Sequence, residues 1–209
     1  MSLVKAFEWR YATKQYDTTK QIDPETFADL IETVRLAPSS FGLQPYKFLI
    51  VSDKSKLEEI SRAAHGQPQI TTGAQVMVVA VETDIDERAV ASYIDKAAVA
   101  RQTDRKNLAQ REEFVNMMIN KMDYAERIVW AGKQAFLAVG VFVSAAAAAG
   151  VDASPMEGFD KAAIDEILSL EEQHLTSELI FVLGYRSAED EYASVPKVRK
   201  PTAEIFVTI

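Results

Sequence analysis

Apolar residues recur along this chain with two spacings, one helical and one extended. Leu3, Phe7 and Tyr11 fall four apart and predict a first helix over Ser2–Tyr11. Phe27, Leu30, Ile31 and Val34 follow the i, i+3, i+4, i+7 pattern of a second, with Asp23 placed to cap it and Pro24 in its first turn. That helix must stop at Ala37, because Pro38 disfavours helical geometry in the residue before it. Pro45 then introduces a β-rich run, Tyr46–Ser52. Further helices are predicted over Lys54–Ala64, over Asp86–Gln102 with Val90, Tyr93, Ile94 and Ala97 on one face, and over the polar segment Asn107–Lys121. Asp123–Gly150 reads as one long helix ended by its glycine, and Phe159–Leu170 as another. Val-rich Gln75–Val81, apolar Glu178–Gly184 and the C-terminal Ala203–Ile209 read as strands. Four strands separated by helices or long connections predict a layered α+β or α/β protein.

The long helix changes the picture. Residues 123–150 would extend about 42 Å at 1.5 Å per residue. A compact domain of this size is only about 43 Å across. The half from Ala135 to Val151 is uncharged on every face, and its alanines and glycines permit close helix contact. One subunit would struggle to cover it, so a homodimer is expected. The same stretch is short and weakly apolar for a membrane span, which favours a core helix. Met1–Tyr11 carries Lys5, Glu8 and Arg10 and lacks the apolar run of a signal peptide, so the cytoplasm is the simplest compartment. With no repeat, linker or shift in composition, residues 1–209 are expected to form a single domain.

Composition narrows the chemistry. The 209 residues include 23 Lys and Arg against 31 Asp and Glu, no cysteine and two histidines. A net charge of −8 argues against a nucleic-acid partner. The missing cysteine removes thiol nucleophiles, disulfides, thiolate zinc sites and cysteine-ligated iron–sulfur clusters. Pairs such as Glu58/Glu59, Glu112/Glu113 and Glu171/Glu172 project about 100° apart on a helix, a solvated arrangement rather than an acid–base pair. His65 and His174 stand outside any recognisable triad. There is no GxGxxG, Walker, GxSxG, HExxH or EF-hand pattern. Any chemistry must come from something the protein binds.

Four stretches stand out. Arg10-Tyr11-Ala12-Thr13-Lys14 places two cations four apart, on one face if helical geometry persists. Pro196-Lys197-Val198-Arg199-Lys200-Pro201 must be extended, so Lys197 and Arg199 point the same way. Each is either a solvated charge group or part of one anion site suited to a phosphate monoester. Pro38-Ser39-Ser40-Phe41-Gly42-Leu43-Gln44-Pro45 is either a plain loop or a set of donors and acceptors on a restricted backbone. Ser154-Pro155-Met156-Glu157-Gly158-Phe159 is a Pro–Gly loop whose free backbone N–H groups would suit an electron-rich ring edge.

In this order, and with Trp130-Ala131-Gly132-Lys133-Gln134 between them, these stretches resemble the FMN-dependent nitroreductase family, most closely its oxygen-insensitive NAD(P)H nitroreductases, some also described as dihydropteridine reductases. The resemblance runs from Arg10 to Arg199. It implies a three-layer α/β/α fold with a mixed, mainly antiparallel sheet, a long central helix and an intertwined homodimer whose last strand, Ala203–Ile209, embraces the partner. It implies bound FMN, NAD(P)H as co-substrate and ping-pong reduction of nitroaromatics, quinones or pterin-like acceptors. By the same resemblance Arg10, with Tyr11 and Ala12 beside it, would reach the FMN phosphate together with Lys197 and Arg199. Lys14 would lie at the pyrimidine edge, near substrate, as an electrostatic stabiliser. Pro38, Ser39 and Ser40, with Gly42 following, would lie against the partner subunit's flavin. Glu157 and Gly158, entered through Pro155 and Met156, would face the flavin N5 and O4 side. Gln67 and Gln69 fall where the family has an amide contact. Two departures are visible. Ala12 replaces the usual hydroxyl residue, Thr13 being the adjacent one. Phe41-Gly42-Leu43 replaces the usual asparagine region and puts Phe41 on the substrate side. A flavin-binding carrier or regulatory dimer without turnover is the competing expectation.

Overall fold

The computed structural model describes residues 2–209. In chain order the elements are α1 (Leu3–Trp9), α2 (Pro24–Arg35), β1 (Tyr46–Val51), α3 (Lys54–Ala63), α4 (Gln69–Thr72), β2 (Gln75–Glu82), α5 (Glu87–Ala100), α6 (Ala109–Asn120), α7 (Tyr124–Ala148), β3 (Asp152–Met156), α8 (Lys161–Ile167), β4 (Leu175–Gly184) and α9 (Thr202–Ile205). The strands pair in the order β1-β2-β4-β3, and all three pairings are antiparallel. The sheet of this chain is therefore not mixed.

Alternation along β2 and β4 builds the layers. Met77, Val79 and Val81, with Leu179, Phe181 and Leu183, enter the larger core against α7 and α2. Val76 and Val78, with Ile180 and Val182, enter the second core, which α3 and α8 cover through Ile60 and Ile164. Helices on both faces explain why the central strands are apolar nearly throughout. The three-layer α+β fold is the expected one.

Local chemistry sets the helix limits. Asp23 accepts from the Thr26 amide at 3.0 Å and caps α2 at Pro24. Asp123 and Glu126 form a reciprocal capping box that opens α7. Gly150, at φ 72°, turns the chain out of it. α7 is the one helix among the described residues long and apolar enough to cross a membrane. Here it is the core helix, with Ala131, Gln134, Ala138, Phe142 and Ala146 buried along one side. The Phe142 and Phe181 rings meet at 4.6 Å between centroids.

Several boundaries differ from the sequence pattern. α1 ends at Trp9, because Arg10 is extended (φ −71°, ψ 145°), so Arg10 and Lys14 share no helical face. Only Ala6 of α1 is buried, while Leu3 and Phe7 are exposed. α2 ends at Arg35, two residues before the limit Pro38 imposes. The 107–121 segment divides into a 3-10 turn, Arg105–Leu108, and α6. The helix expected over Phe159–Leu170 shrinks to α8, capped by Asp160 and followed by left-handed Ser169.

Two corrections concern strands. The Ser154–Met156 part of the expected loop belongs to β3, and only the turn after Met156 is irregular. β3 is an edge strand, where Pro155 is tolerated because its missing donor faces away from the ladder. Ala203–Ile209 is not a strand of this chain. Thr202–Ile205 is a single helical turn, and the segment pairs with neither sheet edge, β1 nor β3. Ile205, Phe206, Val207 and Ile209 remain exposed. Extended backbone is held by pairing with a neighbour, and this chain presents none there.

Candidate flavin site

The two ends of the chain converge. Beyond α1 the backbone runs extended past β3, and the Arg10 guanidinium donates to the Tyr11 carbonyl at 2.5 Å and the Ala153 carbonyl at 3.3 Å. From the other end, the Lys197 ammonium donates to the Phe7 carbonyl at 2.6 Å and to the Glu8 carbonyl, the C-terminal carbonyls of α1. Arg10, Lys197 and Arg199 thus line one cavity of about 570 Å³ with Leu3, Val4, Phe7 and Glu8 of α1.

This grouping is electrostatically strained. Arg10 and Lys197 are both held below their ordinary pKa. Burial comes first in each case, followed for Arg10 by Arg199 and for Lys197 by Arg10 and then Arg199. None of the three cations forms a salt bridge among the described residues. Arg10 Nε is also buried without a hydrogen-bond partner. An unpaired buried donor among mutually repelling cations is costly, and a doubly charged anion relieves both costs. The residues fit a phosphate.

Residues absent from the sequence reading hold this segment in place. Arg186, at the end of β4, donates to Asp152 from Nη2 at 2.5 Å and from Nε at 3.0 Å. Its guanidinium lies 4.1 Å from the Trp9 ring centroid and 4.5 Å from that of Tyr11. The Asp190 carboxylate accepts from the Tyr11 hydroxyl at 2.9 Å, the Lys14 amide at 2.8 Å and the Gln15 amide at 3.1 Å. Burial opposes its ionisation, but these donors outweigh burial and leave it below the usual carboxylate range. The Tyr11 phenol is pushed up to about 12 by burial and by that carboxylate. Asp190 carries a legible signal as the cap of the turn Glu191–Ser194. Its partners near residue 11 carry none.

Lys14 is half-buried, its ammonium 6.0 Å from the Tyr192 ring centroid, and lies apart from the three-cation cavity. Ala12 is exposed. Thr13 is buried, its hydroxyl unpartnered and its carbonyl accepting from Ser154 Oγ at 2.7 Å. Tyr16 fastens the same crossing through Ser154 Oγ and the Val182 carbonyl, both at 3.1 Å.

The two glutamines behave differently. Gln67 Nε2 donates to the Gly158 carbonyl at 2.8 Å and the Ala64 carbonyl at 3.2 Å, so its amide nitrogen ties the end of α3 to the 157–158 turn. Gln69 is 2% exposed and its Oε1 has no partner. Glu157 and Gly158 are exposed at the end of β3, following buried Met156. His65 and His174 are both exposed.

The Pro38–Pro45 loop lies elsewhere. Ser39 Oγ accepts from the Gln44 amide at 3.1 Å, and the Gln44 side chain donates to the Arg35 carbonyl at 3.0 Å. Phe41, Gly42 and Gln44 all have positive φ. No hydrogen bond or ion pair among the described residues joins this loop to residues 10–16 or 197–199. One chain therefore brings Arg10, Lys197 and Arg199 to one cavity and ties Gln67 to the 157–158 turn, and no hydrogen bond among the described residues joins the serine loop to either.

Comparison with known proteins agrees with this architecture. The Nitroreductase family matches residues 7–185, and the chain belongs to that family. The family is FMN-dependent. The chain is 28% identical over 215 residues to the oxygen-insensitive NAD(P)H nitroreductase of Enterobacter cloacae, covering 98% of each. Among solved structures it superposes with TM-score 0.83 on one described as a nitroreductase in complex with FMN from Exiguobacterium sibiricum, at 22% identity over 100% of this chain and 98% of that one. A nitroreductase-like protein from Streptococcus mutans gives TM-score 0.84 at 22% identity, covering 99% and 97%. The expected family and fold are borne out.

Proposed function

We propose that residues 1–209 form one FMN-binding unit of a cytoplasmic homodimer that uses NAD(P)H to reduce nitroaromatic, quinone or pterin-like acceptors. One observation carries the cofactor assignment: three cations drawn from both chain ends share a cavity, and Arg10 Nε is buried there without a partner. Arg10, Lys197 and Arg199 would hold the phosphate, with Tyr11 and Ala12 on the same crossing. Lys14 would supply positive charge at the pyrimidine edge and so favour the reduced cofactor. Gln69 offers an unmet buried acceptor, whereas Gln67 orders the turn formed by Glu157 and Gly158. FMN, when bound, supplies hydride chemistry in two half-reactions that share one pocket, so the protein need only bind, orient and tune it.

The dimer reading is supported by what one chain leaves uncovered. Phe136, Leu137 and Gly140 on the outer side of α7 join Leu3 of α1 in an apolar depression of about 510 Å³. The serine loop, which no hydrogen bond or ion pair among the described residues joins to the cations of its own chain, would then reach the partner's flavin through Pro38, Ser39 and Ser40. Phe41 would border the acceptor. The test is the visible spectrum of the purified protein before and after anaerobic NADPH. A yellow protein that bleaches, and recovers its colour on adding nitrofurazone, is expected. A yellow protein that neither NADPH nor NADH bleaches would instead be a flavin carrier, and a colourless one that takes up no FMN would defeat the assignment.

A further inference from the structure

The Trp130–Gln134 string and α6 both act on the Pro38–Pro45 loop. Gln134 is 8% exposed in the middle of α7. Its Oε1 accepts from the Ser40 amide at 2.8 Å, while its Nε2 donates to the Trp130 carbonyl at 3.0 Å, which fixes the side chain's orientation. On the other side of the loop, Arg111 of α6 donates to the Phe41 carbonyl at 3.0 Å and to the Tyr93 hydroxyl at 3.3 Å. Its guanidinium also lies 5.7 Å from the Tyr93 ring centroid. Arg111 has no acidic partner among the described residues, so these contacts are what hold it.

Between the two grips the backbone is forced. Phe41 adopts φ 59° and ψ −7°, a left-handed conformation that a bulky residue keeps only when its surroundings over-determine it. Its ring is fenced by Trp130 at 6.3 Å and Phe114 at 6.2 Å between centroids. Gly42 follows at φ 82°, and a Cβ there would lie 2.9 Å from the Tyr93 ring. With the Ser40 amide and the Phe41 carbonyl both occupied, the Ser40 hydroxyl stays unpartnered among the described residues, and the Phe41 ring is half-exposed at the edge of the larger core.

The geometry points to Gln134 and Arg111 as positioning residues for acceptor binding. From opposite sides they hold the loop in its left-handed form and thereby place Ser40 and Phe41. This rests on the proposed function, in which the loop borders the acceptor. Neither residue needs to touch the flavin.

The experiment uses the FMN-loaded holoprotein and the variants Gln134→Met, Gln134→Glu and Arg111→Ala. Two quantities are read: amide hydrogen exchange of the 38–45 segment, and steady-state kinetics with NADPH and nitrofurazone. Losing the Ser40 bond should speed loop exchange about 5–10-fold, the scale of one neutral hydrogen bond. The KM for nitrofurazone should rise by about the same factor, with kcat changed less than about twofold. Gln134→Glu retains an oxygen acceptor for the Ser40 amide but loses the donor to the Trp130 carbonyl, so its KM should fall between those of Gln134→Met and the parent. Arg111 is exposed, so Arg111→Ala should fold normally and raise KM about 3–5-fold. Unchanged exchange in a folded Gln134→Met would overturn the clamp. Faster exchange with unchanged KM would overturn the positioning role. If Gln134→Met fails to fold, Arg111→Ala decides by the same two readings. A parent holoprotein that reduces neither nitrofurazone nor a quinone nor a dihydropterin defeats the proposed function and the positioning role together, while exchange still reports whether the clamp exists.

Discussion

Replacing Asp152 by Asn tests the contact on which the flavin-side geometry rests. Asp152 is 2% exposed and takes three donations from Arg186: Nη2 at 2.5 Å, Nε at 3.0 Å and the backbone amide at 2.9 Å. Asn keeps the volume and one acceptor but leaves the guanidinium, its side chain only 23% exposed, without a counter-charge between Trp9 and Tyr11. Breaking a buried pair from one side costs about 3–5 kcal/mol. The retained acceptor and the residual exposure of Arg186 bring the expectation to about 2–3 kcal/mol. For a chain of this size each kcal/mol moves Tm by about 2–4 °C, so a fall of about 4–12 °C is expected. Thermal unfolding followed by circular dichroism, with a fixed excess of FMN, provides the measurement. Arg186→Met alone should cost at least as much, because it strands a carboxylate that is more deeply buried than the guanidinium. The double variant should regain much of the loss, since neither charge is then left alone. A single-variant shift under about 2 °C, or strictly additive losses in the double variant, would refute the assignment of Arg186–Asp152 as the anchor of the Trp9–Tyr11 crossing.

Arg199→Ala should weaken FMN by about 1.5–3 kcal/mol, roughly 10- to 150-fold by titration, and equal affinity of the parent for FMN and riboflavin would sink the phosphate site. Lys14→Met should retain much of its FMN yet show a lower flavin midpoint potential; an unchanged potential and reduction rate would show that Lys14 has no electrostatic role. Because the Asp190 carboxyl is depressed in the folded state, its stabilisation is fully present above about pH 4, the unfolded value. It is lost as pH falls through the folded value, so Asp190→Asn should flatten this acid limb of the Tm–pH curve. Truncation before Thr202 should cost dimer and FMN together, and an active, FMN-loaded monomer at micromolar concentration in sedimentation would rule out the shared site.

Elements whose causes lie within a few residues of one another were legible in the chain itself. α2 has its cap, its first-turn proline and its apolar stripe in one window, and α7 has Gly150 placed to end it. β2 and β4 announce themselves as apolar runs because helices cover both faces of the sheet. Arg10, Lys197 and Arg199 were visible as two cation groups in an acidic chain, although nothing local states that they meet. Only the tertiary structure decided the rest. Whether an extended segment becomes a strand depends on the edge it is offered. Asp152–Met156 pairs with β4 despite its proline, while Ala203–Ile209, far more apolar, finds no edge in its own chain. Arg10 left the helix, Asp190 bonded backbone far away in sequence, and Gln134 reached Ser40 across the fold. Local periodicity records which face of an element is buried. The partner of a buried charge or amide is set by how the elements pack, and that is information no single segment holds.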